Sequence, residues 1–111
     1  MPAHFSRVYL NSVGAFLPGP GISNDEMDAY VGSINTQSSR IKRRILGENG
    51  IVNRHYGINK EGQTMYSSAD MAIKAVDDAL AKVDQKINDI PFLSSATVGA
   101  DLAAPGFANL I

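Results

Sequence analysis

The sequence predicts an α/β fold, because an amphipathic helix, a short polar connection and an apolar strand follow one another in its second half. In Ser67–Val83 apolar residues recur at helical spacing, and charged residues occupy the opposite face. Pro91–Thr97 is a short, mostly apolar run of the kind buried in a parallel sheet. A further strand is predicted at Arg7–Phe16, where β-branched and aromatic residues recur.

Composition restricts the class of protein. The 111 residues suit one small domain, and 44% hydrophobic with 19% charged residues is ordinary for a soluble globular protein. No apolar run approaches the roughly 20 residues that cross a bilayer, and no secretion signal pattern is present, so we expect a cytoplasmic protein without a membrane partner. The net charge of −1 provides no global attraction for nucleic acid. The absence of cysteine excludes disulfides, thiolate metal sites and a cysteine nucleophile within these residues.

Two turn signals divide the first half of the chain. Pro18–Gly21 predicts a tight turn, since neither the Walker spacing nor G-x-G-x-x-G of a phosphate loop is present. Asn49–Gly50 is the second signal, and Ile51–Ile58 after it is predicted to be an edge strand. Gly47–Gly50 also matches the G-x-x-G of nucleic-acid-binding KH domains, but only weakly, because there the motif lies between two helices.

Two helices are predicted between these turns. Ser23 and Glu26 have the spacing of a capping box, which marks the start of a short helix. The second helix is predicted from residue 38 or 39 to Gly47, a natural residue just past a helix end.

The second of these helices contains a basic segment, Arg40–Leu46. Ile41 and Ile45 lie one turn apart and are expected to dock on a core, with the cations turned outward. The cations form either a solvated helix face or a docking patch for phosphate or an acidic partner, to which arginine presents a bidentate fork. They are Arg40, Lys42, Arg43 and Arg44.

The two histidines, His4 and His55, have no carboxylate or second histidine at ligand spacing, so we expect no metal site. His55 is predicted to be a partly buried strand residue. Arg54 beside it is predicted to be an edge-strand cation rather than a site residue.

A loop of small residues, Val98–Ala104, follows the predicted strand, and Pro105 is expected at the first position of another helix. Open α/β sheets bind ligands beyond the carboxyl ends of their strands, which places this loop on the ligand side. The helix has no cap and stops at Ile111, so we expect an incomplete domain. The isolated polypeptide is expected to be insoluble or to dimerise abnormally, because a half-built sheet exposes strand edges.

Several segments of the chain together resemble a known family in their order and spacing. They are Gly14–Pro18, Ile22–Met27, Asn49–His55, Ser68–Ala72 with Ala75 and Ala79–Leu80, and Ile90–Thr97 with Asp101 and Pro105. The family is that of the β-ketoacyl-acyl-carrier-protein synthase III group of thiolase-like condensing enzymes. Within that family, residues 39–56 look most like the dialkylresorcinol-type condensing enzymes.

The resemblance implies that residues 1–111 are the amino-terminal part of the first half-domain of a layered αβαβα fold, in an obligate homodimer. It implies decarboxylative Claisen condensation of an acyl thioester with a malonyl or β-ketoacyl thioester. The acyl group is carried by coenzyme A or by acyl carrier protein, and no further cofactor is implied. The family's nucleophilic cysteine, with its assisting histidine and asparagine, is expected beyond Ile111, so no catalytic residue lies in this chain. The implied partners are acyl carrier protein and the remainder of the enzyme.

Two departures from the family bear on substrates. Many members hold the adenine of coenzyme A with a Trp and an Arg, where this chain has Arg44 and Glu48, so a carrier protein is the expected acyl donor. Arg40, Arg43 and Arg44 are the candidate residues for binding that carrier or its phosphate.

The second departure is at Ala104. Many members have a Phe at this position, where it forms a wall of the partner subunit's acyl pocket. A roomier pocket and a longer acyl chain are expected unless neighbouring side chains refill the space.

The alternative function is a stand-alone interaction module that binds an acidic protein or RNA through Arg40–Leu46. Such a module should bury its own core and end on a capped element, whereas Asn109–Ile111 is apolar and uncapped. This observation favours the condensing-enzyme interpretation.

Overall fold

A computed structural model describes residues 5–33 and 36–111 of the chain, so His4 lies outside the described residues. Two short strands pair in antiparallel fashion, with Ile22 opposite Arg54. The described residues thus form a mixed helix and strand structure, while the layered αβαβα arrangement and the half-domain assignment stay predictions. The elements are β1 (Ile22–Ser23), α1 (Asp28–Val31), α2 (Thr36–Glu48), β2 (Asn53–Arg54), α3 (Ser68–Leu80) and two 3₁₀ turns, Ile87–Asp89 and Phe107–Asn109.

Helix α3 confirms the clearest prediction. It starts at a capping box, in which the Ser67 hydroxyl accepts from the Asp70 amide and the Asp70 carboxylate accepts from the Ser67 amide, each at 3.0 Å. The regular helix ends at Leu80, and the chain continues to Val83 in tighter turns. The described helices, α3 included, are too short or too polar to cross a membrane.

The predicted strand Arg7–Phe16 is wrong as a strand, because no described segment pairs with its backbone. The segment is extended and lies along α3. Its hydrogen bonds are made with side chains and with a backbone carbonyl near the carboxyl-terminal end of α3, instead of with a neighbouring strand. Three hydrogen bonds make the contact: Ser12 Oγ to the Ala79 carbonyl (2.6 Å), the Ala15 amide to the Asp78 carboxylate (3.0 Å) and Lys82 Nζ to the Val13 carbonyl (3.1 Å).

Gly14 permits this close approach. A Cβ at that position would lie 2.5 Å from the backbone nitrogen of Ala79 and closer still to the carbonyl oxygen of Ala75. Real Cβ atoms do not approach backbone atoms so closely, so only glycine lets the segment contact α3 at this point.

The predicted strand Pro91–Thr97 is also unpaired within the described residues, and Phe92 there is 78% exposed. Of the predicted edge strand Ile51–Ile58, only Asn53–Arg54 joins the sheet, with an isolated bridge from Ile58 to Thr64. A strand is stabilised by its neighbour's hydrogen bonds, so an apolar run without a neighbour stays extended but unpaired.

Most predictions that rest on neighbouring residues, such as turns and helix caps, are confirmed. Both predicted turns are present, with Gly19 at φ +61° and Gly50 at φ +69°. The Ser23–Glu26 capping contacts form, although α1 itself begins only at Asp28. Gly47 lies inside α2 instead of following it.

The last predicted helix is replaced by the 3₁₀ turn Phe107–Asn109, whose N-cap residue is Gly106. Pro105 therefore precedes the cap and is not at the first helical position.

The core is small. Within the described residues only Pro18 and Ile22 are buried, whereas Val8, Tyr9 and Leu10 are 71–85% exposed. The radius of gyration is 18.4 Å, compared with about 13 Å for a compact domain of this length. The apolar residues of the amino-terminal segment therefore lack a covering layer, whereas most of those on α3 are half-buried.

Candidate functional site

Helices α1 and α2 border an open cleft of about 410 Å³. Its walls combine two cationic and two acidic side chains with a similar share of apolar surface, so the cleft is of mixed polarity and close to neutral. The lining residues are Asn24, Asp25, Asp28, Lys42, Arg43, Leu46 and Gly47.

Helix α2 faces α1 with Lys42 instead of its isoleucines. The Lys42 side chain is only 17% exposed and forms an ion pair with Asp28, while Ile41 and Ile45 are 61% and 56% exposed. The prediction that the isoleucines dock on a core with all cations outward is therefore wrong. The aliphatic part of the Lys42 side chain is buried while its ammonium group reaches Asp28. Helix α1 has only four residues, so it is too short to cover both the side of α2 that carries Lys42 and the side that carries the isoleucines.

The three predicted anion-binding arginines do not converge on one point. Arg43 lines the cleft, where Asp25 and Asp28 also lie. Arg44 lies outside it and pairs with Glu48 at 2.9 Å, one helical turn away, with both side chains mostly exposed. Arg40 is exposed on the same side of the helix as Arg44, one turn earlier. The carboxylates in the cleft reduce its attraction for a phosphate.

Arg54 has a structural position, as predicted. Its guanidinium donates a hydrogen bond to Asn24 Oδ1, and the Asn24 amide donates to the Ile51 carbonyl at 3.2 Å. These contacts connect β2 to the turn before α1.

His55 is partly buried, as predicted, although it follows β2 instead of belonging to it. Its Nδ1 lies 3.1 Å from the Gly19 carbonyl oxygen and 3.3 Å from that of Pro18. A carbonyl oxygen can only accept, so this contact is a hydrogen bond in the tautomer that carries the proton on Nδ1. His55 thus fastens the Pro18–Gly21 turn to the segment after β2.

The loop of residues 98–106 contains the other predicted site residue. Ala104 is exposed there. Asp101 in the same loop reaches back to α3, where its two carboxylate oxygens accept from the Ser68 and Ala69 amides, each at 2.8 Å. These two hydrogen bonds hold the pKa of Asp101 below its ordinary value.

The role of Asp101 was not predicted from the sequence. The available signals were an acidic residue in a loop and its place in the family resemblance, and 32 positions separate Asp101 from Ala69. No spacing rule connects residues so far apart.

A second cavity of about 290 Å³ lies beside Ile22 and is mostly apolar. The rings of Tyr30 and Tyr56 stack at its wall with centroids 5.5 Å apart. The Tyr56 hydroxyl is buried and makes no hydrogen bond within the described residues. Sequence reasoning missed this tyrosine pair, since the two residues are far apart in the chain.

Comparisons with known proteins address the function. No family model matches the chain. A β-ketoacyl-acyl-carrier-protein synthase III of Cereibacter sphaeroides is 34% identical over 105 residues, which are 95% of this chain and 29% of that protein. The protein of the same name from Rickettsia bellii is 33% identical over 96 residues, covering 86% of the chain and 26% of the relative. The one from Wolbachia pipientis is 30% identical over 106 residues, covering 96% and 30%.

The chain resembles β-ketoacyl-acyl-carrier-protein synthase III. The resemblance found in its motifs is thereby confirmed over nearly all of its residues. The chain spans less than a third of the length of the synthase III relatives that it matches. The comparisons do not test the dialkylresorcinol-type assignment, which stays a prediction.

Proposed function

We propose that this chain is one part of a β-ketoacyl-acyl-carrier-protein synthase III-type acyltransferase, whose reacting groups lie on residues outside the chain. The observation that supports the proposal is similarity over 95% of the chain to proteins of that name, of which it spans 29%. The chain contains no cysteine, so a cysteine nucleophile has to come from elsewhere.

In the proposed reaction an acyl thioester transfers its acyl group to that cysteine and releases the donor thiol. A second thioester, which carries a malonyl group, loses carbon dioxide, and the resulting carbanion attacks the acyl carbonyl. The new carbon–carbon bond forms as the bond between that carbonyl and the cysteine sulfur breaks, which frees the cysteine. This chain supplies the framework: α3, the extended segment along it, and the loop of residues 98–106. Alone it is expected to be inactive.

Acyl carrier protein is the proposed acyl donor, and Arg40, Arg43 and Arg44 are the proposed contacts. Arg40 is exposed and Arg43 lines an open cleft, which supports contact with an acidic partner. Arg44 contributes less in this proposal, because Glu48 already neutralises it.

Ala104 is the proposed wall of an acyl pocket in a homodimer. Its exposure in the described residues supports a location where a second subunit or substrate can cover it. In the acyl-transferring assembly, Ala104→Phe is expected to reduce transfer of long acyl chains relative to short ones. Unchanged loading of long chains would remove Ala104 from the proposal.

The deciding experiment is native and intact-mass analysis of the purified 11.9 kDa chain, followed by an acyl-transfer assay. We expect the chain to be bound to a larger polypeptide that becomes acylated on a cysteine when acyl carrier protein is the donor. A stable lone monomer, or a complex that accepts no acyl group, would overturn the proposed function.

One observation favours the stand-alone interaction module as second candidate. Helix α2 exposes Ile41 and Ile45 beside Arg40, a mixed apolar and cationic surface suited to an amphipathic acidic segment. In the mass experiment this candidate predicts an acidic partner without a reactive cysteine. Its complex should weaken when Arg40→Glu and Ile45→Ser are combined.

A further inference from the structure

We propose that Asp101 is a positioning residue, which holds the loop of residues 98–106 against the amino-terminal end of α3 and thereby sets where Ala104 lies. What Ala104 does there rests on the proposed function. The attachment itself is a property of this chain and is tested separately.

The start of α3 is fully capped by side chains. A helix leaves its first four amides without backbone partners, and here each of them has a side-chain acceptor. The Ser67 amide donates to Asp70, the Ser68 and Ala69 amides donate to Asp101, and the Asp70 amide donates to Ser67 Oγ, all at 2.8–3.0 Å.

Two of these acceptors are local and belong to the capping box, which a helix can form by itself. Asp101 is different, because it comes from another part of the chain and uses both carboxylate oxygens. A two-point contact fixes the direction of a side chain as well as its distance. A negative charge at this end of the helix is also favoured by the helix dipole.

Among the described residues, Asp101 alone connects this loop to α3 by hydrogen bonds. The other hydrogen bonds of Gly99 and Gly106 are made to residues at most three positions away. If the Asp101 carboxylate is released, no other hydrogen bond seen in the described part of the chain ties the loop to α3.

Ala104 follows Asp101 by three residues, a length of chain that spans at most about 11 Å. Attachment of Asp101 therefore confines Ala104 to a small volume near the start of α3. Without it, the side chain at position 104 would sample many positions, and a pocket wall built on it would lose its shape.

This chain has no native cysteine, so two introduced cysteines are the only thiols that a spin label reacts with before the chain is combined with other polypeptides. We would place them at Ala104 and Asp77, an exposed residue of α3, and dilute labelled chain into unlabelled chain so that only distances within one chain are measured. The measurement is the distribution of label distances by pulsed electron paramagnetic resonance.

Asp101→Ala is expected to replace a narrow distribution by a broad one, and hydrogen exchange at the Ser68 and Ala69 amides should rise about tenfold. Asp101→Glu should restore part of the narrow distribution, because it keeps the carboxylate. The matched control is Asp89→Ala, which removes a carboxylate that caps only its own 3₁₀ turn, through the Lys86 amide at 2.9 Å. It should leave the distribution unchanged.

An unchanged distribution in Asp101→Ala would overturn the attachment. If that variant loses its helical circular dichroism, Asp101→Asn decides instead, since asparagine can still cap but accepts through only one oxygen. A narrow distribution in a folded Asp101→Asn variant, with unchanged exchange at both amides, would likewise overturn it.

The consequence for Ala104 is tested in the acyl-transferring assembly. Asp101→Ala should change the ratio of kcat/KM values for long and short acyl chains, whereas a merely structural defect would lower the amount of active enzyme and leave that ratio unchanged. A broad label distribution with an unchanged ratio refutes the positioning of Ala104. A broad distribution in a chain that joins no acyl-transferring assembly leaves the attachment standing, while the proposed function fails.

Discussion

Helices α2 and α3 are both 13 residues long and both amphipathic, yet the chain holds them very differently. Helix α3 is capped by Ser67 and Asp101 at its start and contacts the extended segment through Ser12 and Ala15 near its end. Helix α2 is held to α1 by Lys42 and exposes its isoleucines. The comparison shows that an amphipathic pattern predicts a helix, whereas contacts from distant residues decide whether its apolar face is covered.

The largest expected effect comes from Gly14→Ala in the segment along α3. The added Cβ collides with the backbone of α3, so the variant should lose about 1–3 kcal/mol of the free energy of unfolding. Chemical denaturation followed by circular dichroism measures the loss. Gly99→Ala is the control, because a Cβ there meets no atom within 4 Å. Equal stability of the two variants would show that the segment does not lie against α3.

Low pH should destabilise the amino-terminal end of α3. The Ser67 hydroxyl and amide lower the pKa of Asp70, and the Ser68 and Ala69 amides lower that of Asp101. A carboxyl whose pKa is lower in the folded chain contributes stability above its unfolded pKa of about 3.9, and this contribution disappears as pH falls below that value.

The double variant Asp70→Asn, Asp101→Asn should therefore be less stable than the unmodified chain at neutral pH. Its free energy of unfolding should also fall less steeply as the pH drops below about 4. Asp84→Asn is the control, since Asp84 makes no hydrogen bond or ion pair within the described residues. Parallel pH profiles for the double variant and the unmodified chain would contradict the capping roles.

Gly47→Ala should act in the opposite direction to Gly14→Ala. Gly47 lies inside α2, and a Cβ there meets no atom within 4 Å. Replacing it should stabilise the helix by about 0.5–1 kcal/mol, because glycine has the larger conformational entropy to lose. A higher helical content with a raised thermal midpoint is the expected measurement, and a destabilised variant would mean that this face of α2 is covered.

The smallest expected effect is that of Arg44→Ala. The Arg44–Glu48 pair is exposed, and pairs of this spacing contribute less than about 0.5 kcal/mol. The midpoint of thermal unfolding of the Arg44→Ala variant should differ little from that of the unmodified chain, and the small difference should disappear at high salt concentration. A large loss would indicate that Arg44 has a partner beyond Glu48.

Local chemistry made part of the fold predictable. The helix starting at Ser67, the Ser23–Glu26 capping contacts and the turns at Gly19 and Gly50 depend on residues at most four apart, so their patterns were visible. Strands were not predictable in the same way. Arg7–Phe16 has the composition of a strand, but a strand forms only when another segment supplies its hydrogen bonds.

The candidate site shows the same division. Arg40, Arg43 and Arg44 were found because cations cluster in one segment, but the side of α2 that faces α1 depends on Asp28, which lies 14 residues before Lys42. The contact of Asp101 with α3 depends on a fold that brings residues about 33 positions apart together. Pairings of this kind become visible only in three dimensions.

The contact between Ser12 and Ala79 also has a consequence for synthesis of the protein. The two residues are 67 positions apart, so at about 5–20 residues per second a ribosome needs roughly 3–13 s after making the first to make the second. Throughout that interval the segment around Ser12 and Gly14 has no α3 to contact. The first part of the chain to appear is therefore the part that chaperones and other nascent chains meet for longest.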